Sequence, residues 1–189
     1  MVLRRVLLGG LPALLTGCAG LQAPGYNLPP LPAALPGPYR LGPGDVLGIR
    51  VYDQSQMSGT YHVDDSGYID MPLLGLIKAG GRSADALSTR IAQTLQTKQL
   101  ILHPSVAVEV STYRPFYILG EVTTPGQYPY RPGMTVLTGI SIAGGFTYRA
   151  ETAYVGVTRN TDGKTAQYRA ATAALVQPGD VITVFERRF

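Results

Sequence analysis

Few side chains in this chain are able to do acid–base, nucleophilic or metal chemistry. The two histidines, His62 and His103, form no H-E-x-x-H or comparable spacing, so they give no zinc site. Hydrolysis of a glycan needs two positioned carboxylates. Asp53, Asp64, Asp70 and Glu121 are available, but nothing in the sequence pairs them. Asp64, Asp65 and Asp70 crowd one turn in a way that suggests calcium, yet the later ligands of an EF-hand loop do not follow. No G-x-S-x-G, Walker loop or dinucleotide fingerprint occurs. We therefore assign no catalytic residue, no metal and no cofactor, and expect a protein that is not an enzyme. The remaining chemistry is non-covalent. Tyr113, Tyr117, Tyr128 and Tyr130 carry rings that can stack on sugar C–H faces, or can simply pack within a sheet. Arg114 and Arg131, set among tyrosines and prolines, can face an acidic polymer, a neighbouring subunit or water. Tyr113, Arg114, Tyr117, Tyr130 and Arg131 are the polymer-facing or subunit-contact candidates.

The one covalent handle is Cys18. Arg4 and Arg5 precede an apolar run, Val6 to Leu15, that is too short to span a bilayer. Leu15-Thr16-Gly17-Cys18 then resembles a bacterial lipobox, with small residues before a thiol that takes a diacylglycerol. The reading is a signal peptide over residues 1–17 and a mature chain that begins at lipidated Cys18. Several acyl chains hold a protein on a membrane where one does not. Ala19, being no aspartate, implies sorting to the outer membrane by resemblance to other bacterial lipoproteins. Cys18 is the only cysteine, so no internal disulfide forms.

The composition bounds what positions these residues. The chain has 189 residues, with 15% charged, 23 glycines and 15 prolines, which favours short strands joined by turns. Net charge is +4, and falls to about +2 without Arg4 and Arg5; no basic cluster marks a nucleic-acid partner. Prolines at 24, 29, 30, 32, 36 and 38 make residues 18–38 a semi-rigid tether. The first unit, 39–113, opens with the turn Leu41-Gly42-Pro43-Gly44-Asp45, followed by a strand with Leu47, Ile49 and Val51 on one face. A hairpin is punctuated by Asp65-Ser66-Gly67. Ser83 caps a helix whose Leu87, Ile91 and Leu95 form one stripe. Val106, Val108 and Val110 then share a strand face, giving the order β-β-α-β.

The second unit, 114–189, starts with a strand from Phe116 to Val122 and turns at Thr124-Pro125-Gly126. A helix follows over Val136 to Ala143, closed by Gly144-Gly145. Gly139 lies inside that helix, where it weakens it by about 1 kcal/mol relative to alanine. Strands are expected over Ala153 to Arg159, Ala166 to Arg169 and Asp180 to Phe185. A sheet with one helix laid across it is a β-grasp, so the fold class is α+β: a β-β-α-β unit and then a β-grasp unit. Pro178-Gly179-Asp180 repeats the turn-then-strand device of Pro43-Gly44-Asp45.

Two sets of spacings carry a family resemblance. Tyr39, Leu41, Gly42, Pro43, Gly44, Asp45, Leu47, Ile49 and Val51, then Gly67, Ile69, Pro72 and Gly75, resemble the export domain of the bacterial outer-membrane polysaccharide export proteins. Ser66 stands where that family usually has aspartate. Gly120, Glu121, Val122, Pro125, Gly126, Tyr128 and Gly133, with Thr135, Val136, Leu137 and Ala143-Gly144-Gly145, resemble its soluble-ligand-binding β-grasp domain. The resemblance implies a periplasm-facing, lipid-anchored outer-membrane protein. It would assemble as a homo-oligomeric ring that passes capsular polysaccharide or exopolysaccharide and docks on an inner-membrane co-polymerase. The chain stops at Phe189 with no membrane helix after Cys18, which implies a short form that needs a separate outer-membrane channel. The alternative is a periplasmic ligand-binding or scaffolding lipoprotein that uses its β-grasp domain.

Overall fold

The structure, a computed structural model, describes residues 23–33, 37–161 and 163–188. The signal peptide, the lipobox with Cys18, and part of the proline-rich stretch lie outside them. Among the described residues no helix is long and apolar enough to cross a membrane.

The fold is α+β, in two units with two separate cores. In the first, β1 (Val46–Val51) is the centre of a three-stranded antiparallel sheet between β2 (Gly59–His62) and β5 (Val106–Thr112). Leu47, Ile49 and Val51 are buried, as their alternation requires. Helix α1 (Ala84–Thr97) starts at Ser83, whose Oγ accepts the Ala86 N–H at 3.2 Å, and buries Leu87, Ile91 and Leu95. Asp85 sits in the first turn, where the helix dipole favours an acid.

One pairing departs from the sequence reading. Residues 64–67 do reverse the chain, with Gly67 at φ +79. Yet β3 (Tyr68–Met71) then pairs with β4 (Gly75–Lys78) and not with the strand before the turn. The expected loop is closed locally, by the Asp64 N–H to Tyr68 carbonyl bond at 2.8 Å, the Gly67 N–H to Asp64 carbonyl bond at 2.9 Å and the Tyr68 N–H to Asp64 Oδ1 bond at 2.8 Å, and no ladder extends from it among the described residues. The β3–β4 hairpin buries Ile69, Met71 and Ile77 and stands between the second strand and the helix of the expected β-β-α-β order.

In the second unit, β6 (Phe116–Gly120) and β10 (Val181–Val184) run parallel at the centre of a five-stranded sheet. The order is β7 (Gly126–Tyr128), β6, β10, β8 (Val155–Thr161), β9 (Lys164–Ala170). Helix α2 (Val136–Ile142) supplies Val136 and Ile140 to the core formed with Phe116, Ile118, Val157 and Ile182. Gly139 is at the contact: a Cβ there would stand 3.0 Å from Phe116 Cε2 and 3.6 Å from Ile118 Cδ1. The glycine therefore admits the helix to the sheet, and its low propensity is the lesser effect.

The proline-rich stretch is not a free spacer over its described part. Pro30 bridges Arg169 in parallel, at the outer edge of β9. The Leu31 N–H donates to the Arg169 carbonyl and the Arg169 N–H to the Pro29 carbonyl, both at 2.8 Å. Pro30 lacks a donor, but neither bond asks it for one. Upstream, Tyr154 Oη donates to the Pro24 carbonyl at 3.0 Å, and Arg169 Nη1 donates to the Tyr26 carbonyl at 2.7 Å while lying over the Tyr26 ring. This arm is seated on the second unit before the chain enters the first.

Candidate functional site

The two Pro-Gly-Asp turns meet at the junction of the units. In each, the aspartate folds back to accept its own turn's amide. Asp45 takes the Gly42 N–H at 2.8 Å, and Asp180 takes the Gln177 N–H at 2.7 Å. Gly44 and Gly179 hold positive φ, +89 and +86, which is the turn's demand for glycine. Each aspartate is then buried against an arginine. Asp180 receives a two-pronged contact from Arg159, Nε to Oδ1 at 2.9 Å and Nη2 to Oδ2 at 2.7 Å. That geometry is the strong form of a guanidinium–carboxylate pair.

Asp45 is tied across the junction. Its Oδ1 accepts the Arg114 backbone N–H at 3.0 Å, its Oδ2 accepts Tyr39 Oη at 2.7 Å, and Arg114 Nη1 lies 3.5 Å away. Arg114 Nε reaches the other way, to the Pro178 carbonyl at 3.1 Å, and Gly179 donates to the Pro115 carbonyl at 2.9 Å. The guanidinium is thus clasped between the two turns. A Cβ on Gly42 would fall 2.0 Å from Arg114 Nη1, and one on Gly179 would fall 3.0 Å from its Nε. Both turns are bare of side chain where Arg114 passes.

An aromatic ladder lies alongside. Tyr39, Tyr113 and Tyr130 follow one another edge to face, with centroids 5.0 and 5.4 Å apart. Burial pushes the Tyr39 phenol well above its ordinary range; its hydrogen bond to Asp45 adds to this and Arg114 opposes it. Burial, then the neighbouring Tyr113, also raises Tyr130.

The sequence-derived candidates therefore separate into two groups. Tyr113, Arg114 and Tyr130 come together, and their side chains are engaged within the chain. Tyr117 stands 40% exposed on the face of the sheet turned away from α2, and Arg131 is exposed on the loop before that helix. Tyr128 packs at the margin of the second core. Cys18 lies outside the described residues. The carboxylates stay apart in their bonding: Asp64 caps its own turn through the Tyr68 N–H at 2.8 Å, and Glu121 accepts Thr147 Oγ1. Tyr39, Asp45 and Asp180 entered the sequence reading as motif and turn residues and Arg159 as the end of a strand, none of them as a site residue. The repeated Pro-Gly-Asp was the signal that could have found the two aspartates. Chemically, the arrangement ties the two units together through a buried carboxylate, a guanidinium and a phenol that bond to one another.

Residues 33–111 match the family described as polysaccharide biosynthesis/export protein, and residues 115–168 match the SLBB domain. Tyr113 and Arg114 fall between the two matches. The exopolysaccharide production protein ExoF of Rhizobium meliloti (strain 1021) is 40% identical over 118 residues, 57% of this chain and 28% of that protein. The EPS I polysaccharide export outer membrane protein EpsA of Ralstonia solanacearum is 31% identical over 134 residues, 57% of this chain and 35% of its own length. EpsA of Ralstonia nicotianae (strain ATCC BAA-1114 / GMI1000) is 30% identical over 169 residues, 75% of this chain and 43% of its own length. The chain thus spans less than half the length of each of these curated relatives.

Proposed function

The chain belongs to the polysaccharide biosynthesis/export protein family, and on that footing we propose that it forms part of an envelope conduit through which exopolysaccharide or capsular polysaccharide leaves the cell. The observation that carries the reading is the succession of the two family domains along one chain, joined where Arg114 is clasped by a turn from each. A closed ring needs subunits of one fixed shape, since a heterologous contact closes only at one rotation. The junction supplies such a shape. In this reading copies of the chain assemble as a ring, held at the outer membrane by lipid on Cys18 and facing the periplasm. An inner-membrane co-polymerase feeds the polymer to it. Tyr117 and Arg131, exposed on the second unit, are the polymer or subunit contacts. The chain binds and contains polymer and does no covalent chemistry on it.

Deletion of the gene, with surface polysaccharide measured, tests this. We expect surface polymer to be lost and to return with the wild-type gene. Cys18→Ala should fail to restore it, and full rescue by that variant would remove the anchor from the proposal. A deletion strain with unchanged surface polymer would remove the export role itself.

A further inference from the structure

At the end of β1 remote from the unit junction, the chain leaves an open hollow of about 610 Å³. Its lining includes Arg50, Tyr52, Asp53, Gln54, Ser55 and Ser105. Ala107, paired across the sheet with Arg50, is small and leaves the room.

Three observations say that this hollow is built. Tyr52 is 80% exposed, a large ring with no aromatic, cation–π or side-chain hydrogen-bond partner among the described residues, while its backbone is fixed by the N–H to Ser105 carbonyl bond at 2.9 Å. Asp53, which follows, holds φ +57, a left-handed conformation that aspartate adopts more readily than most side chains and that sets the direction of the turn. The turn around them is tightly specified. Ser58 Oγ accepts the Val51 N–H at 2.9 Å and lies 3.1 Å from the Val51 carbonyl and 2.9 Å from the Gln54 carbonyl. A rigid turn thus presents an aromatic face beside an amide, a carboxylate, hydroxyls and a guanidinium.

We propose that this hollow is a saccharide-binding subsite that takes one or two uncharged hexose units of a glycan. Tyr52 is the stacking platform for the sugar's C–H face, and Asp53 and Gln54 are hydroxyl partners. Charge decides the class. The one arginine is already paired with Glu109 at 3.3 Å, and Asp53 sits beside it, so no surplus positive charge is on hand for a phosphate or a polyuronate. The subsite is open and shallow, which gives weak, quickly reversed contact, as a sliding polymer requires. The polymer's identity rests on the export reading; the binding itself does not.

The test uses the purified full chain, amide NMR, and three probes: cellotetraose, maltotetraose and tetragalacturonate. A neutral tetrasaccharide should shift the amides of residues 50–58 and 105–107 with a dissociation constant on the order of 1 mM. Tyr52→Ala should weaken this about 10-fold, while Tyr52→Phe keeps the ring and stays within about 2-fold. Asp53→Gly should weaken binding without lowering stability, because glycine accepts the turn's φ. No shift with either neutral probe at about 20 mM, or equal binding by Tyr52→Ala, overturns the subsite. Binding of tetragalacturonate alone overturns its uncharged class. A protein that binds as expected but whose deletion leaves surface polysaccharide intact defeats the export reading only. Lost export with a protein that binds no probe defeats the subsite only.

Discussion

Replacing Asp45 with alanine should cost more stability than any exposed ion pair in the molecule. The carboxylate is fully buried and accepts from Tyr39 Oη, the Gly42 N–H and the Arg114 N–H, at 2.7, 2.8 and 3.0 Å. Alanine leaves two backbone donors without acceptors, each worth about 1–3 kcal/mol when buried. The Arg114 side chain loses its counter-charge too, but it is 28% exposed, so water offsets part of that loss. The sum is about 3–5 kcal/mol, the usual cost of breaking a buried pair from one side. Urea unfolding followed by far-UV circular dichroism measures it. With a slope of about 2 kcal/mol/M, a 4 kcal/mol loss moves the midpoint by about 2 M. Glu109→Ala is the control. It breaks the Arg50 pair, whose side chains are 76% and 73% exposed, and should cost at most about 0.5 kcal/mol. If Asp45→Ala costs under about 1 kcal/mol, or no more than Glu109→Ala, the junction is not held as argued.

Three further outcomes follow from the same packing. Gly139→Ala sets about 1 kcal/mol of helix propensity against about 1–3 kcal/mol of overpacking on buried Phe116, so thermal melting should show a net loss; a raised Tm refutes this. Tyr39 keeps its proton in the folded chain above its ordinary value of 10.0, so its stabilisation is full below that pH and falls as the unfolded phenol ionises above it. Tyr39→Phe should flatten that alkaline loss, and identical denaturant midpoints against pH for the two proteins would contradict it. Arg169→Ala removes the side-chain grip on Tyr26, so limited proteolysis should cut residues 23–33 faster than in wild type while the two cores resist. Unchanged cleavage would show that the backbone bonds to Pro29 and Leu31 suffice.

The legible parts of the fold were those whose signals are local. Ser83, Asp85 and the Leu87-Ile91-Leu95 stripe lie within one helix and specify it outright. β4 was missed because Gly75 and Leu76 face solvent, which leaves Ile77 as its single buried residue and no alternation to read. Gly139 was misread as a weak helix residue because propensity knows nothing of Phe116, which is supplied by another strand. The junction is the extreme case. Arg114 bonds to residues 69 positions before it and 64 after it, and no window around Tyr113 and Pro115 contains either. The prolines at 29 and 30 promised an unpaired spacer, but an edge strand needs only the carbonyl of Pro29 and the amide of Leu31.

The seated arm also changes a reach. A tether free from Cys18 to Tyr39 would have a contour of roughly 70 Å and leave both units wandering below a bilayer. Because Pro24 is already held by Tyr154, the length of chain from Cys18 to Ala23 can span at most about 18 Å. A lipid on Cys18 would then act as a short leash on the second unit. The first unit would hang beyond it at the angle the Arg114 clasp sets, its Tyr52 hollow at the far end from that junction.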